Sequence, residues 1–119
     1  MTLAGWGLTM QGNRTSAPAI LREVDVPVIS NSECRYALGS YYGSFIEADN
    51  MCAGVPVGGI DSCQGDSGGP GLYQDGNKRA YHIGVVSWGL GCGQPNAPGV
   101  YARTTEYLNW IEQTTGTVN

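Results

Sequence analysis

Apolar runs along this chain are short, and glycine-rich loops separate them. Over residues 20–29 an extended backbone would put Ile20, Arg22, Val24, Val26 and Val28 on one face and Leu21, Glu23, Asp25 and Pro27 on the other. That pattern predicts one half-buried strand with Pro27 near its end. Residues 3–8 read as a strand bearing Trp6, followed by a polar loop over 10–18. Shorter strands are expected at 51–53, 70–73, 81–88 and 99–103, with the pair 70–73 and 81–88 joined as a hairpin through Gln74-Asp75-Gly76-Asn77. Segments 54–64 and 89–98 read as loops. Ser30, Asn31 and Ser32 offer capping side chains for a short helix over 33–38 that Gly39 ends, with a loop through Tyr41, Tyr42 and Gly43 after it. The clearest helix comes last. From Thr105 onward, Leu108 and Ile111 stand three apart beside Tyr107 and Trp110, while Glu106, Asn109, Glu112 and Gln113 face water.

Composition agrees with a mostly β reading: 19 glycines against a single Phe suit short strands and tight turns. A length of 119 residues with 13% charged residues allows one modest domain spanning 1–119 and no second core. The net charge is −4, and Arg14, Arg22, Arg35, Lys78, Arg79 and Arg103 are scattered, so no basic stripe marks a nucleic-acid partner. No apolar run approaches a membrane span, and residues 1–7 lack the charged flank and apolar core of a signal peptide. Cys34, Cys52, Cys63 and Cys92 contain no C-x-x-C pair, which disfavours zinc; no metal and no cofactor are expected. Three disulfide connectivities are open, the sequential one preferred, and two bridges would imply an oxidising compartment. Asn13-Arg14-Thr15 has the acceptor pattern for N-glycosylation within a polar loop.

The chemistry concentrates at Gly65-Asp66-Ser67-Gly68-Gly69-Pro70. An oxyanion forming on an attacked carbonyl needs two N–H donors aimed at one point, and a glycine-flanked backbone around Ser67 can supply them from Gly65 and Ser67. A bare G-x-S-x-G is more often a tight turn with a capping serine. It also matches the nucleophile elbow of α/β-hydrolases, but an elbow needs a helix directly after the serine, which Gly68-Gly69-Pro70 prevents. The single histidine, His82, alternates with Ile83, Val85 and Trp88 and reads as a surface-facing strand residue, not a base for Ser67.

With these residues in view the resemblance is specific. Gly65-Asp66-Ser67-Gly68-Gly69-Pro70, Val86-Ser87-Trp88-Gly89, Pro98-Gly99-Val100-Tyr101 and Ala4-Gly5-Trp6-Gly7 resemble the C-terminal half of chymotrypsin-family, trypsin-like serine proteases, in order and over residues 3–113. The resemblance implies an antiparallel Greek-key, six-stranded β-barrel, the second barrel of that fold, carrying a C-terminal α-helix. It implies Ser67 as the acylated nucleophile, the amides of Gly65 and Ser67 as the oxyanion hole, and disulfides Cys34–Cys52 and Cys63–Cys92. Asp61, six residues before the serine, then stands at the floor of the specificity pocket and selects Arg or Lys, with Ser62 helping to bind a lysine ammonium and Gly89 and Gly99 keeping the pocket open. Gln64 and the Ser87-Trp88-Gly89 backbone would bind the substrate chain.

Asp66 is structural by the same resemblance, since in the family it pairs with the amino terminus freed by zymogen cleavage. Without that partner it is expected to turn outward or to leave the site disordered. The family's catalytic histidine and aspartate belong to a first barrel that this sequence does not contain. A secreted, extracellular serine endopeptidase acting on protein or peptide substrates is therefore expected, the first barrel being the partner that completes the site. The alternative is a non-catalytic half-barrel that binds a protein or peptide. Family disulfide positions at Met1 and Tyr73 lack cysteine, and Gly71 replaces a branched apolar residue, which places local packing in question.

Overall fold

The strand expected over residues 3–8 is Thr2–Gly5, which leaves Trp6 outside it and 59% exposed. A computed structural model of the chain describes residues 1–116. Its strands are β1 (Thr2–Gly5), β2 (Arg22–Asp25), β3 (Val28–Ile29), β4 (Asn50–Ala53), β5 (Pro70–Gln74), β6 (Ala80–Trp88) and β7 (Gly99–Arg103), with helices α1 (Asn31–Gly43) and α2 (Leu108–Thr115). The strands form one antiparallel sheet in the order β2-β1-β5-β6-β7-β4-β3, so the all-β fold with a C-terminal helix is as expected.

The expected strand over 20–29 is two strands. Pro27 has no N–H to donate, and the pairing partner changes there. Before it, β2 lies antiparallel to β1, with Thr2 opposite Asp25 and Gly5 opposite Arg22; after it, β3 pairs with β4 through Val28–Ala53 and Ile29–Cys52. At the junction the Met1 amine donates to the Val26 carbonyl at 3.0 Å, the Val26 amide donates back at 2.8 Å, and the Gly54 amide donates to the Pro27 carbonyl at 3.0 Å. One segment thus supplies both edges of the sheet, which is how six barrel strands appear as seven. Ile20 and Leu21 stay outside it and exposed.

Two clusters make the core. Leu3, Val26, Met51, Ala53 and Tyr101 fill the barrel, and Cys34, Leu38, Ile46, Cys52 and Val100 lie beneath α1. The disulfides are Cys34–Cys52 and Cys63–Cys92, closing separations of 18 and 29 residues. Loops of that size stabilise by about 3 kcal/mol each through restriction of the unfolded chain. Met1 takes up the space that Gly71 leaves, since a methyl at Gly71 would fall 2.5 Å from Met1 Sδ.

Ser30 caps α1 by accepting from the Glu33 amide at 3.1 Å. Gly39, with φ +84° and ψ 174°, ends the first helical run as expected, and a second short run follows it directly, so the segment through Tyr41 and Tyr42 expected as loop is helical. At the C-terminus a 3-10 turn over Thr104–Tyr107 leads into α2. The expected apolar stripe forms, but only Ile111 is half-buried; Leu108 and Trp110 are 55% and 64% exposed.

Candidate active site

Ser67 sits on a tight connection between the Asp61 loop and β5. The Asp66 amide donates to the Cys63 carbonyl and the Gly69 amide to the Asp66 carbonyl, both at 2.9 Å, folding the backbone back on itself around the serine. Reciprocal bonds from the Gly68 amide to Val86 and from the Val86 amide to Gly69, again 2.9 Å, fasten this turn to β6. Gly65 has φ +96°, a left-handed conformation that a side chain would strain. Ser67 is exposed, and among the described residues the amides of Gly65 and Ser67 donate to no protein acceptor. Two uncommitted N–H groups beside an exposed hydroxyl are the parts that acyl transfer requires.

Asp66 corrects one expectation. It does not turn outward: its Oδ1 accepts from the Gly7 amide at 2.8 Å and its Oδ2 from the Cys63 amide at 2.9 Å. Two backbone donors take the place of a cation, and the approach is close enough that a methyl at Gly5 or Gly7 would collide with the carboxylate. Gly5 and Gly7 of the N-terminal motif are thereby explained by an acid nearly sixty residues away.

Asp61 is half-buried between Gly93 and Gly99 at the start of β7. Its Oδ1 accepts from the Ser62 amide at 2.8 Å and its Oδ2 from the Gly93 amide at 3.0 Å. Burial raises its pKa above the usual carboxylate value, against the opposing hydrogen bonds from Gly93, Ser62 and Tyr101. Gly99 faces it, and a methyl there would lie 2.6 Å from Asp61 Oδ1 and 2.9 Å from the Tyr101 hydroxyl. The Tyr101 hydroxyl stands 3.4 Å from Ser62 Oγ, and burial is the main cause that pushes its pKa up to about 12. Cys63–Cys92 ties the serine loop to the segment that carries Gly93.

The structure brings Ser67, Gly65, Asp66, Asp61, Ser62, Gly99 and both half-cystines of Cys63–Cys92 into one region. Ser87 falls at a bulge in the β6–β7 ladder, with Trp88 half-buried and Gly89 just beyond the strand. Gln64 is committed elsewhere: its Oε1 accepts from the Gly12 amide at 3.1 Å. His82 is exposed on β6, its Nδ1 3.1 Å from Thr104 Oγ1, away from the serine. Tyr101, Gly93 and Gln11 were not foreseen. For Tyr101 the signal was present, because it is two residues from Gly99 on a strand and so shares its face.

A cavity of about 540 Å³ reaches Asp61 and Asp66 and is lined also by Gly7, Arg22, Val24 and Gly93. Ser67, Ser87, Gly89 and Gly99 do not line it. Among the described residues no group of three His, Cys, Asp or Glu side chains could hold a metal ion. Nor is any described helix long and apolar enough to cross a membrane.

The family model described as Trypsin matches residues 1–111. The chain belongs to the trypsin family. It is 47% identical over 111 residues to Trypsin-1 of Astacus astacus, covering 92% of this chain and 44% of that protein. With the Clotting factor G beta subunit of Tachypleus tridentatus the identity is 42% over 120 residues, or 97% of this chain and 38% of the relative. Transmembrane protease serine 11G of Rattus norvegicus is 42% identical over 113 residues, which is 95% of this chain and 26% of its own length. This trypsin-family chain therefore spans less than half the length of these relatives. Its two disulfides fit an oxidising setting.

Proposed function

We propose that this chain is the nucleophile-bearing part of a secreted, trypsin-like serine endopeptidase that cleaves protein or peptide substrates after Arg or Lys. The observation that carries the specificity is Asp61. Its carboxylate is half-buried beside Gly99, is held only by backbone and hydroxyl donors, and has no cationic partner among the described residues. A long side chain ending in a cation would satisfy it, and a guanidinium would do so with two parallel hydrogen bonds.

The chemistry follows the family template. Ser67 Oγ attacks the scissile carbonyl, the Gly65 and Ser67 amides receive the developing oxyanion, and the acyl-enzyme is then hydrolysed by water. The exposed backbone at Ser87-Trp88-Gly89 is suited to hold the substrate as an added strand. The proton that leaves Ser67 requires a histidine oriented by an aspartate, and both would come from a first barrel outside this sequence. The exposed apolar face of α2 and the cavity that reaches Asp66 are surfaces for that barrel and for the amino terminus it brings.

The test joins the chain to a first barrel from a trypsin-family relative and measures hydrolysis of arginine, lysine and phenylalanine amides. Ser67→Ala should lower kcat by roughly a millionfold. Asp61→Asn should lower kcat/KM for arginine and lysine by roughly two to three orders of magnitude, with phenylalanine unaffected. Turnover by the isolated chain that Ser67→Ala abolishes would refute the need for a first barrel. A joined protein that folds, binds peptides and never turns over would establish the binding module instead.

A further inference from the structure

The loop between β1 and β2 carries two kinds of chemistry on neighbouring residues. Asn13-Arg14-Thr15 is the one N-x-[ST] pattern in the sequence, and the same three residues contain a basic residue followed by a peptide bond to threonine. All three are exposed. Asn13 Oδ1 accepts from the Thr15 amide at 3.0 Å and from the Thr15 hydroxyl. Among the described residues Asn13 Nδ2 donates to nothing, so a group attached there breaks no bond of the fold.

Arg14 differs from the other basic positions in how little a cut beside it must unfold. Lys78 and Arg79 lie in the β5–β6 turn, where Asp75 Oδ1 accepts from the Asn77 and Arg79 amides, and cutting there means peeling a hairpin. The 14–16 turn is a single 3-10 turn with bonds between Asn13 and Ser16 and from Ser16 to Thr9 and Met10 at the base of the loop, and exposed polar loops of this kind are where proteases nick folded chains.

The loop is also connected to Asp61. Gln11 Oε1 accepts from the Cys92 amide at 3.1 Å and from Gln94 Nε2 at 2.8 Å, bracketing Gly93, whose amide holds Asp61 Oδ2. Gln11 is itself kept in place by the closing bonds of the loop, from the Thr9 hydroxyl to the Ser16 carbonyl at 2.9 Å and from the Met10 amide to Ser16 Oγ at 3.0 Å. A break between Arg14 and Thr15 removes the covalent link between Asn13 and Ser16, so that Gln11 is then held on this side only by the bonds of Thr9 and Met10 to Ser16.

We propose that Asn13 carries an N-linked glycan that shields the Arg14–Thr15 bond from proteases specific for basic residues. The transfer joins Asn13 Nδ2 to the anomeric carbon of an oligosaccharide carried on a polyprenyl diphosphate. The nitrogen gives up a proton, the polyprenyl diphosphate leaves, and no oxidation state changes. A protease must hold the residues on both sides of the scissile bond extended in its cleft, and a branched glycan next to Arg14 cannot enter one. That the shield also guards the enzyme against its own copies rests on the function proposed above; the shield itself does not.

The experiment secretes the protein from insect cells and treats the folded product, with or without enzymatic removal of N-glycans, with added pancreatic trypsin. Glycan release converts Asn13 to Asp, so the peptide mass reports occupancy, and no substitution is needed that could prevent folding. The expected result is an occupied Asn13 and a cut at Arg14 that is roughly tenfold faster after glycan release. Benzamidine, an aryl amidinium that probes Asp61, should bind the nicked form more weakly. An unoccupied Asn13, or equal cutting rates in the two samples, overturns the proposal. Labelling of Ser67 by a serine-directed phosphonate, done on the chain joined to a first barrel, reports separately on the protease reading.

Discussion

Asp61 illustrates how a single carboxylate can serve a site at the expense of the fold. Its folded pKa is raised, with burial as the leading cause. Between the ordinary carboxylate value of 3.8 and that higher value the native state binds more protons than the unfolded state, so stability falls as pH rises through this window. Asp61→Asn removes the ionisation, and the variant is expected to melt at a higher temperature than the parent at neutral pH, with the difference vanishing below the unfolded carboxylate pKa. Thermal melts at a series of pH values check this; a melting temperature that drops at neutral pH would contradict it. Residues near Asp61 were legible to different degrees. Ser67, Gly65 and Asp66 lie in one hexapeptide, so their association is local and sequence order reveals it. Gly93 and Gln11 are joined to the site by backbone and amide bonds across 32 and 81 residues, and no spacing rule encodes those. Asp66 misled for a related reason, because the donors that satisfy it are main-chain N–H groups, which every residue carries and no sequence displays.

At the scale of elements, strand positions followed from alternation and strand ends did not. Alternation continues unbroken across Pro27, yet the hydrogen-bond partner changes there, because the period of side chains says which face a residue occupies and nothing about which neighbour it pairs with. α1 shows the converse. Gly39, at φ +84° and ψ 174°, ends one helical run, yet the residues after it start a second turn at once, so a stop signal did not give a loop. No atom outside its chain neighbours lies within 4 Å of where a Gly39 side chain would begin, so strain there is purely conformational. Gly39→Ala is expected to destabilise by about 1–2 kcal/mol. In a domain of this size that lowers Tm by roughly 5 °C for each kcal/mol. A melt indistinguishable from the parent would mean that α1 straightens through Gly39.

The molecule as a whole leaves one face without a counterpart. Leu108 and Trp110 on α2, together with Tyr107, form an apolar surface that the barrel does not cover. Patches of this kind on a single chain promote association. The isolated chain is expected to self-associate at micromolar concentrations, and Leu108→Ser with Trp110→Ser to return it to monomer without changing its far-ultraviolet circular dichroism. Light scattering decides the matter, and a parent that is already monomeric would disprove it. That a stripe existed was legible from 3.6-residue spacing; that it would remain bare was not, because periodicity gives a face and not its partner.

The two-sided attachment of residues 22–29 has a kinetic meaning. Because β2 and β3 flank the sheet from opposite margins, the outer edges of β1 and β4 are both covered while that segment is seated. Should it lift off at Val26, where its only bonds to the first residue are a reciprocal pair with Met1, β1 and β4 would be bared together, and a second copy could dock its own 22–29 segment there. Exchange of that segment between molecules is the misassembly expected of such a barrel, and tightening the Val26 junction is expected to slow the appearance of exchanged dimers in size-exclusion chromatography.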